Sequence, residues 1–190
     1  MKTIKRIIAV LCIAFMASTM FVSCVRSCVE LDKKLTELDE KENNAIRDCL
    51  KEQDFQKAHD LLKRYTNGDY DYDKIQQEVY QEEIKYLIDQ NDDAAWLKAF
   101  SLVQEYKSKH YDGNFSREND YQYRLELIKM LADYAVMFNH SETTERICKL
   151  LGNYINEMNA LSKGADDYDL KRWERVIATA EAIQMNCDCE

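Results

Sequence analysis

The chain has 190 residues, with 35 acidic and 26 basic side chains and a formal charge of −9. Such an acidic surface repels phosphate backbones and anionic lipid headgroups, which argues against nucleic acid as a partner. Proline is absent and glycine occurs four times, so little interrupts long helices and an all-α fold is expected.

In chain order, Lys2, Lys5 and Arg6 come first, followed by an apolar run from Ile7 to Ala17 and the softer Ser18-Thr19-Met20. A charged region, an apolar region and a small-residue region in that order predict a removable signal sequence over residues 1–23. The run is shorter than the ~20 apolar residues that cross a bilayer. Losing its three bases takes the formal charge of the remainder from −9 to −12.

The segment ends in Phe21-Val22-Ser23-Cys24, which resembles the lipobox of bacterial lipoproteins, although Phe21 stands where that family usually has Leu. The resemblance implies that Cys24 is acylated and becomes the first residue of the mature chain. The protein is then expected in the cell envelope, lipid-anchored to a bacterial membrane, with the outer membrane as its expected address.

Residues 24–44 read as a charged spacer, with Glu30/Lys34 and Glu37/Lys41 at the i,i+4 spacing of an exposed helix. Residues 45–186 follow as the folded domain and 187–190 as a tail. Apolar residues recur at helical spacing in seven segments, from Leu31–Leu50 through to Leu170–Ile183. Phe138 and Leu170 belong to the fifth and seventh of these stripes.

The segments also repeat. Phe55-x-x-Ala58-x-x-Leu61-Leu62-x-x-Tyr65 matches Trp96-x-x-Ala99-x-x-Leu102-Val103-x-x-Tyr106 and, more loosely, Thr144-x-x-Ile147-x-x-Leu150-Leu151-x-x-Tyr154. Each copy follows a polar turn, with Asp54, Asp93 and Ser141 as expected N-caps. Gly68, Gly113 and Gly164 lie beyond the three motif helices, where left-handed helix stops would use them. Gly152 sits inside the sixth helix, where a close helix contact is expected. Three antiparallel hairpins and one closing helix account for the domain.

Around Asp54-Phe55-Gln56-Lys57-Ala58 the pattern is similar to tetratricopeptide and related α-solenoid repeats, over roughly residues 45–161. The glycine of the first helix and the terminal proline of that family are missing, and the offsets of 41 and 48 residues exceed its usual 34. The expected architecture is therefore a tetratricopeptide-like α-solenoid or a helical bundle.

Little in the sequence points to catalysis. It has no Gly-rich phosphate loop, zinc-binding His-Glu-x-x-His helix or Gly-x-Ser-x-Gly elbow, and no catalytic residue, metal site or cofactor is expected. His59, His110 and His140 are scattered and read as surface or boundary residues. Asp69-Tyr70-Asp71-Tyr72-Asp73 has the alternating acids of a calcium loop, but Lys74 and Tyr80 replace its glycine and its bidentate glutamate. Its carboxylates instead suit the start of a helix.

The mature cysteines are Cys28, Cys49, Cys148, Cys187 and Cys189. Folding the last helix back about Gly164 places Cys148 beside residue 180, so no disulfide framework is expected. Cys187-Asp188-Cys189-Glu190 carries the elements of a soft-metal or redox pair, but a frayed tail is the expectation.

Twelve tyrosines remain a signal. Tyr65, Tyr106 and Tyr154 end apolar stripes and are expected in the core. Tyr70, Tyr72, Tyr111, Tyr123 and Tyr168 lie beside acids near the inter-repeat loops and are the expected partner-binding residues. The function expected is a membrane-tethered adaptor for another exported protein or peptide, basic partners among them. The alternative is an inhibitor or immunity-type protein that neutralises a toxin or enzyme in the periplasm.

Overall fold

A computed structural model describes Lys33, Glu37 and residues 40–64, 70–107 and 117–189, without the side chains of Tyr70, Asp71 and residues 117–119. The expected signal sequence and lipidation site Cys24, together with Cys28, Tyr65, Gly68, Tyr111 and Gly113, lie outside the described residues. The chain divides into two units, Met1–Ala45 and Ile46–Glu190. In the first, Lys33, Glu37 and residues 40–45 are helical, and Lys33 Nζ lies 3.9 Å from Glu37 Oε1 in an exposed i,i+4 pair.

Among the described residues the fold is all-helical, with seven helices and no strand. They are α1 (40–51), α2 (Phe55–Arg64), α3 (Tyr70–Asp89), α4 (Asp93–Glu105), α5 (Arg117–Met137), α6 (Ser141–Ser162) and α7 (Asp167–Asn186). Successive helices pack on one another from α2 to α7. In addition α3 packs on α5, α4 on α6 and α5 on α7. Each hairpin thus touches the next, the contact pattern of stacked helix pairs.

The repeated positions face inward. Ala58, Ala99 and Ile147 are fully buried, as are Val103 and Leu151, with Leu62 nearly so. Tyr106 and Tyr154 are core residues as expected. One apolar cluster joins Ile46 and Cys49 of α1 to Ala58 and Leu62 of α2 and to Tyr72, Ile75 and Val79 of α3. A second runs from Ile84 to Cys187 and includes Trp96, Leu131, Leu151 and Trp173. Phe138 and Leu170 fall outside the core: Phe138 lies beyond the end of α5 and is half exposed, and Leu170 is on the outer side of α7.

The helix boundaries differ from expectation in an instructive way. Asp54 caps α2 by accepting from the Lys57 N–H at 3.1 Å. The cap of α4 is Asp92, one residue before Asp93, and it accepts from the Ala95 N–H at 2.9 Å. The cap of α6 is His140, whose Nδ1 accepts from the Thr143 N–H at 3.3 Å in the place expected for Ser141.

Among the described residues the left-handed positions at helix ends are not glycines. Gln53, Asn91, Asn139 and Asp188 take φ values of 58°, 51°, 55° and 51°, whereas Gly164 does not adopt a left-handed backbone. After α1 the Asp54 N–H bonds back to the Cys49 carbonyl and Gln53 to Leu50; after α5 His140 bonds to Ala135 and Asn139 to Val136. These paired bonds are the Schellman closure, which satisfies the last carbonyls of a helix whichever side chain stands at the left-handed residue. Asparagine and aspartate tolerate that conformation better than most residues.

Candidate functional site: a cleft at the C-terminal ends of α5 and α7

The residues of α6 that face the end of α7 recur at helical spacing: Ser141, Thr144 and Glu145, Cys148 and Lys149, and Gly152. Opposite them stand Gln184, Cys187, Asp188 and Cys189, with Ala135, Val136 and Asn139 closing one side. Together they line an open cleft of about 860 Å³. Gly152 is not wedged there, since an added Cβ would meet only Gln184 Nε2, at 3.9 Å.

The lining includes a disulfide between Cys148 and Cys189, with Cα atoms 5.5 Å apart. This overturns both the expected frayed tail and the expectation that no bridge forms. The reason is a chain reversal after α7. The Cys189 N–H bonds to the Gln184 carbonyl at 3.0 Å and Asp188 to Met185 at 3.3 Å, another Schellman closure with Asp188 left-handed.

Cys189 is thereby carried back to the level of residue 184. The offset from residue 180 shrinks from nine positions to about four, or ~6 Å at ~1.5 Å per residue. Cys187, the C-cap of α7, is buried beside the bridge as a free thiol. Burial, then the nearby carboxylates of Asp133 and Asp188, push that thiol up from its ordinary range. Asn186 Nδ2 donates to Asp133 Oδ1 at 3.2 Å and ties the end of α7 to α5.

Apolar side chains stand exposed around the same end of the fold. Met137 is 66% and Met185 73% exposed, and Val136 and Phe138 are about half exposed. Phe138 packs edge-on against Trp96, centroids 6.2 Å apart, and Trp96 stacks on His140 at 4.6 Å. Next to Trp96, the half-exposed Leu97 lines a smaller hollow of about 190 Å³ with His140 and Arg146. His140 is thus a structural link between α4 and α6, its Nε2 lying 3.4 Å from Asp93 Oδ1.

A second polar centre lies elsewhere in the stack. Glu83 of α3 is almost wholly buried; it meets His59 Nε2 of α2 at 2.7 Å and Lys98 Nζ of α4 at 3.0 Å. Burial acts to raise its carboxyl, but the hydrogen bonds from His59 and Lys98 outweigh that effect and hold it below the ordinary glutamate range. The group ties three helices together.

No family model, curated protein or solved structure matches this chain.

Of the five tyrosines, Tyr72, Tyr123 and Tyr168 have described side chains, and none of them lines the cleft. Tyr72 is buried and its hydroxyl pushed up to about 12, by burial first and then by Tyr80 and Asp73. It packs in the core instead of presenting a surface. Tyr123 is half-buried near the start of α5, and Tyr168 is 72% exposed near the start of α7 with the Arg172 guanidinium 5.8 Å from its ring. Tyr70 opens α3, with its side chain outside the described residues, and Tyr111 is outside them altogether. Tyr168 and Cys187 stand at opposite ends of one helix, ~30 Å apart at ~1.5 Å per residue.

The residues that sequence reasoning missed are Val136, Met137 and Met185 and the pairing of Cys148 with Cys189. One signal was present: Ala135-Val136-Met137-Phe138 is a four-residue apolar run, more than one face of a helix end can bury.

Proposed function

We propose that the chain is an exported, lipid-anchored interaction protein that receives another exported polypeptide at the cleft between α5, α6 and α7. The observation that carries this reading is the open cleft built by three helices, with the exposed Val136 in its wall and the exposed Met137, Phe138 and Met185 on the same helix ends. Isolated exposed apolar residues need no explanation, but a group of them beside a concavity marks a contact surface. Stacked helix pairs offer such surfaces more readily than catalytic pockets.

The Cys148–Cys189 bridge suits an oxidising compartment, which supports export. The acyl group on Cys24 supplies the membrane attachment, because an acidic domain adds no basic attraction to lipid. Apolar contact and not charge dominates docking here, which refines the expectation of a basic partner.

The test is a pull-down from detergent-solubilised envelope with the wild-type chain and a Met137→Asp/Met185→Asp double variant. Both positions are exposed, so the variant is expected to melt like wild type and to lose the co-purifying polypeptide. Recovery of the same polypeptide at wild-type yield refutes the surface. In parallel, Cys24→Ala is expected to release the protein from membranes, and undiminished membrane retention refutes the anchor.

A further inference from the structure

Three of the chain's sulfur atoms belong to one site. Cys148 and Cys189 are bridged, Cys187 is a free thiol, and all three line the same open cleft. Cys49, the other free thiol among the described residues, is buried in the separate cluster of α1, α2 and α3. Cys148 and Cys189 are each partly exposed, so solvent and small solutes reach the bridge.

Cys187 and Cys189 are two residues apart. Even in an extended chain their Cα atoms are separated by no more than ~7 Å, and the left-handed Asp188 between them folds the segment tighter. That is within the range a disulfide spans. The C-terminal turn therefore has two possible bridges, one to α6 and one within itself.

We propose that Cys148, Cys187 and Cys189 form a thiol–disulfide exchange site, with a thiolate entering the cleft as substrate and Cys187 as the resolving thiol. The incoming thiolate attacks Cys189 Sγ; a bond forms between those two sulfurs, the Cys148–Cys189 bond breaks, and Cys148 leaves as a thiolate that takes a proton from solvent. Cys187 then gives its proton to solvent and attacks Cys189 Sγ. The Cys187–Cys189 bond forms and the incoming thiol departs unchanged.

The net change is an isomerisation. One disulfide and one thiol are present before and after, and no oxidant or reductant is consumed. Its product is Cys148 as a free thiol in the cleft, able as its thiolate to attack a disulfide carried by a bound molecule and expel one of that molecule's sulfurs as a thiolate. Because only the thiolate attacks, and Cys187 is held protonated by burial beside two carboxylates, exchange accelerates as pH rises. The site stands whether or not a polypeptide docks on the surrounding apolar residues.

The test uses the full-length protein incubated with a substoichiometric amount of glutathione, then acid quench, alkylation of free thiols and non-reducing peptide mapping. The expected result is a Cys187–Cys189 bridge with alkyl label appearing on Cys148, at least about tenfold more than in Cys187→Ser treated identically. Cys49 is expected to stay unlabelled. A wild-type map that keeps label on Cys187 and none on Cys148 overturns the proposal. So does label appearing on Cys49 together with Cys148, since exchange then proceeds through unfolding. Because the decisive map is of wild type, the proposal stays testable should the serine variant fold poorly; Cys187→Ala is then the comparison.

Discussion

Removing the Cys148–Cys189 bridge perturbs the fold at a place where the magnitude can be worked out. The two residues are 41 apart. In the chain-entropy treatment a closed loop of that length lowers the entropy of the unfolded chain by about 13 cal/mol/K, which stabilises the native state by about 4 kcal/mol at 25 °C. The folded unit, Ile46–Glu190, is expected to unfold with an entropy near 0.3 kcal/mol/K, so the loss corresponds to a fall in Tm of roughly 13 °C. The assay is thermal melting by circular dichroism of the oxidised protein, the protein in reductant, and a Cys148→Ser/Cys189→Ser variant, all at one pH. The last two are expected to coincide well below the first. If they melt within about 3 °C of the oxidised protein, the loop is not constraining the unfolded chain and the reasoning fails.

Three further outcomes follow from particular contacts. Glu83→Gln is expected to cost about 2 kcal/mol at neutral pH, since it removes the charge from two hydrogen bonds in a buried setting. The Glu83 carboxyl is lowered in the folded state, so its contribution is present above the ordinary value of 4.5 and is lost as pH falls through the lower folded value. The gap in Tm between wild type and Glu83→Gln should therefore close on acidification from pH 6 towards roughly 3, and a gap independent of pH contradicts this. Asp166→Ala removes the carboxylate that accepts from the N–H groups of Tyr168 and Asp169, both at 3.0 Å, and should cost about 1 kcal/mol in urea unfolding. That loss should add to the loss of the disulfide, because the two sites stand at opposite ends of α7. Ala99→Leu places extra volume at a fully buried repeat position and should cost about 1–3 kcal/mol in the same assay.

How far the fold could be read from sequence depended on whether the determining interaction was local. The stripes beginning at Phe55, Trp96 and Thr144 put Ala58, Ala99 and Ile147 on one helical face, and burial of that face is decided within a few residues of chain. Of the three glycines expected beyond the motif helices only Gly164 is among the described residues, and it is not left-handed; the left-handed residues follow α1, α3, α5 and α7, for which no glycine stop was expected. Here two backbone hydrogen bonds close α1, α5 and α7, and they hold Gln53, Asn139 and Asp188 left-handed with no glycine present. The closure after α7 is what hid the cleft. A tail treated as frayed leaves Cys189 beyond the reach of α6, whereas a Schellman turn sends it back by about a helical turn and brings the sulfurs together. The tyrosines were misjudged for the complementary reason: Tyr72 lies among acids in sequence, but burial depends on which side of α3 meets α1 and α2 across the hairpin. Met185 shows the reverse, an apolar residue on the side of α7 opposite the Trp173–Val176–Ala180–Ile183 stripe and therefore turned to solvent. Exposure next to a concavity is a property of how helices are rotated against one another, and it is that rotation, not the helices themselves, that places the contact surface.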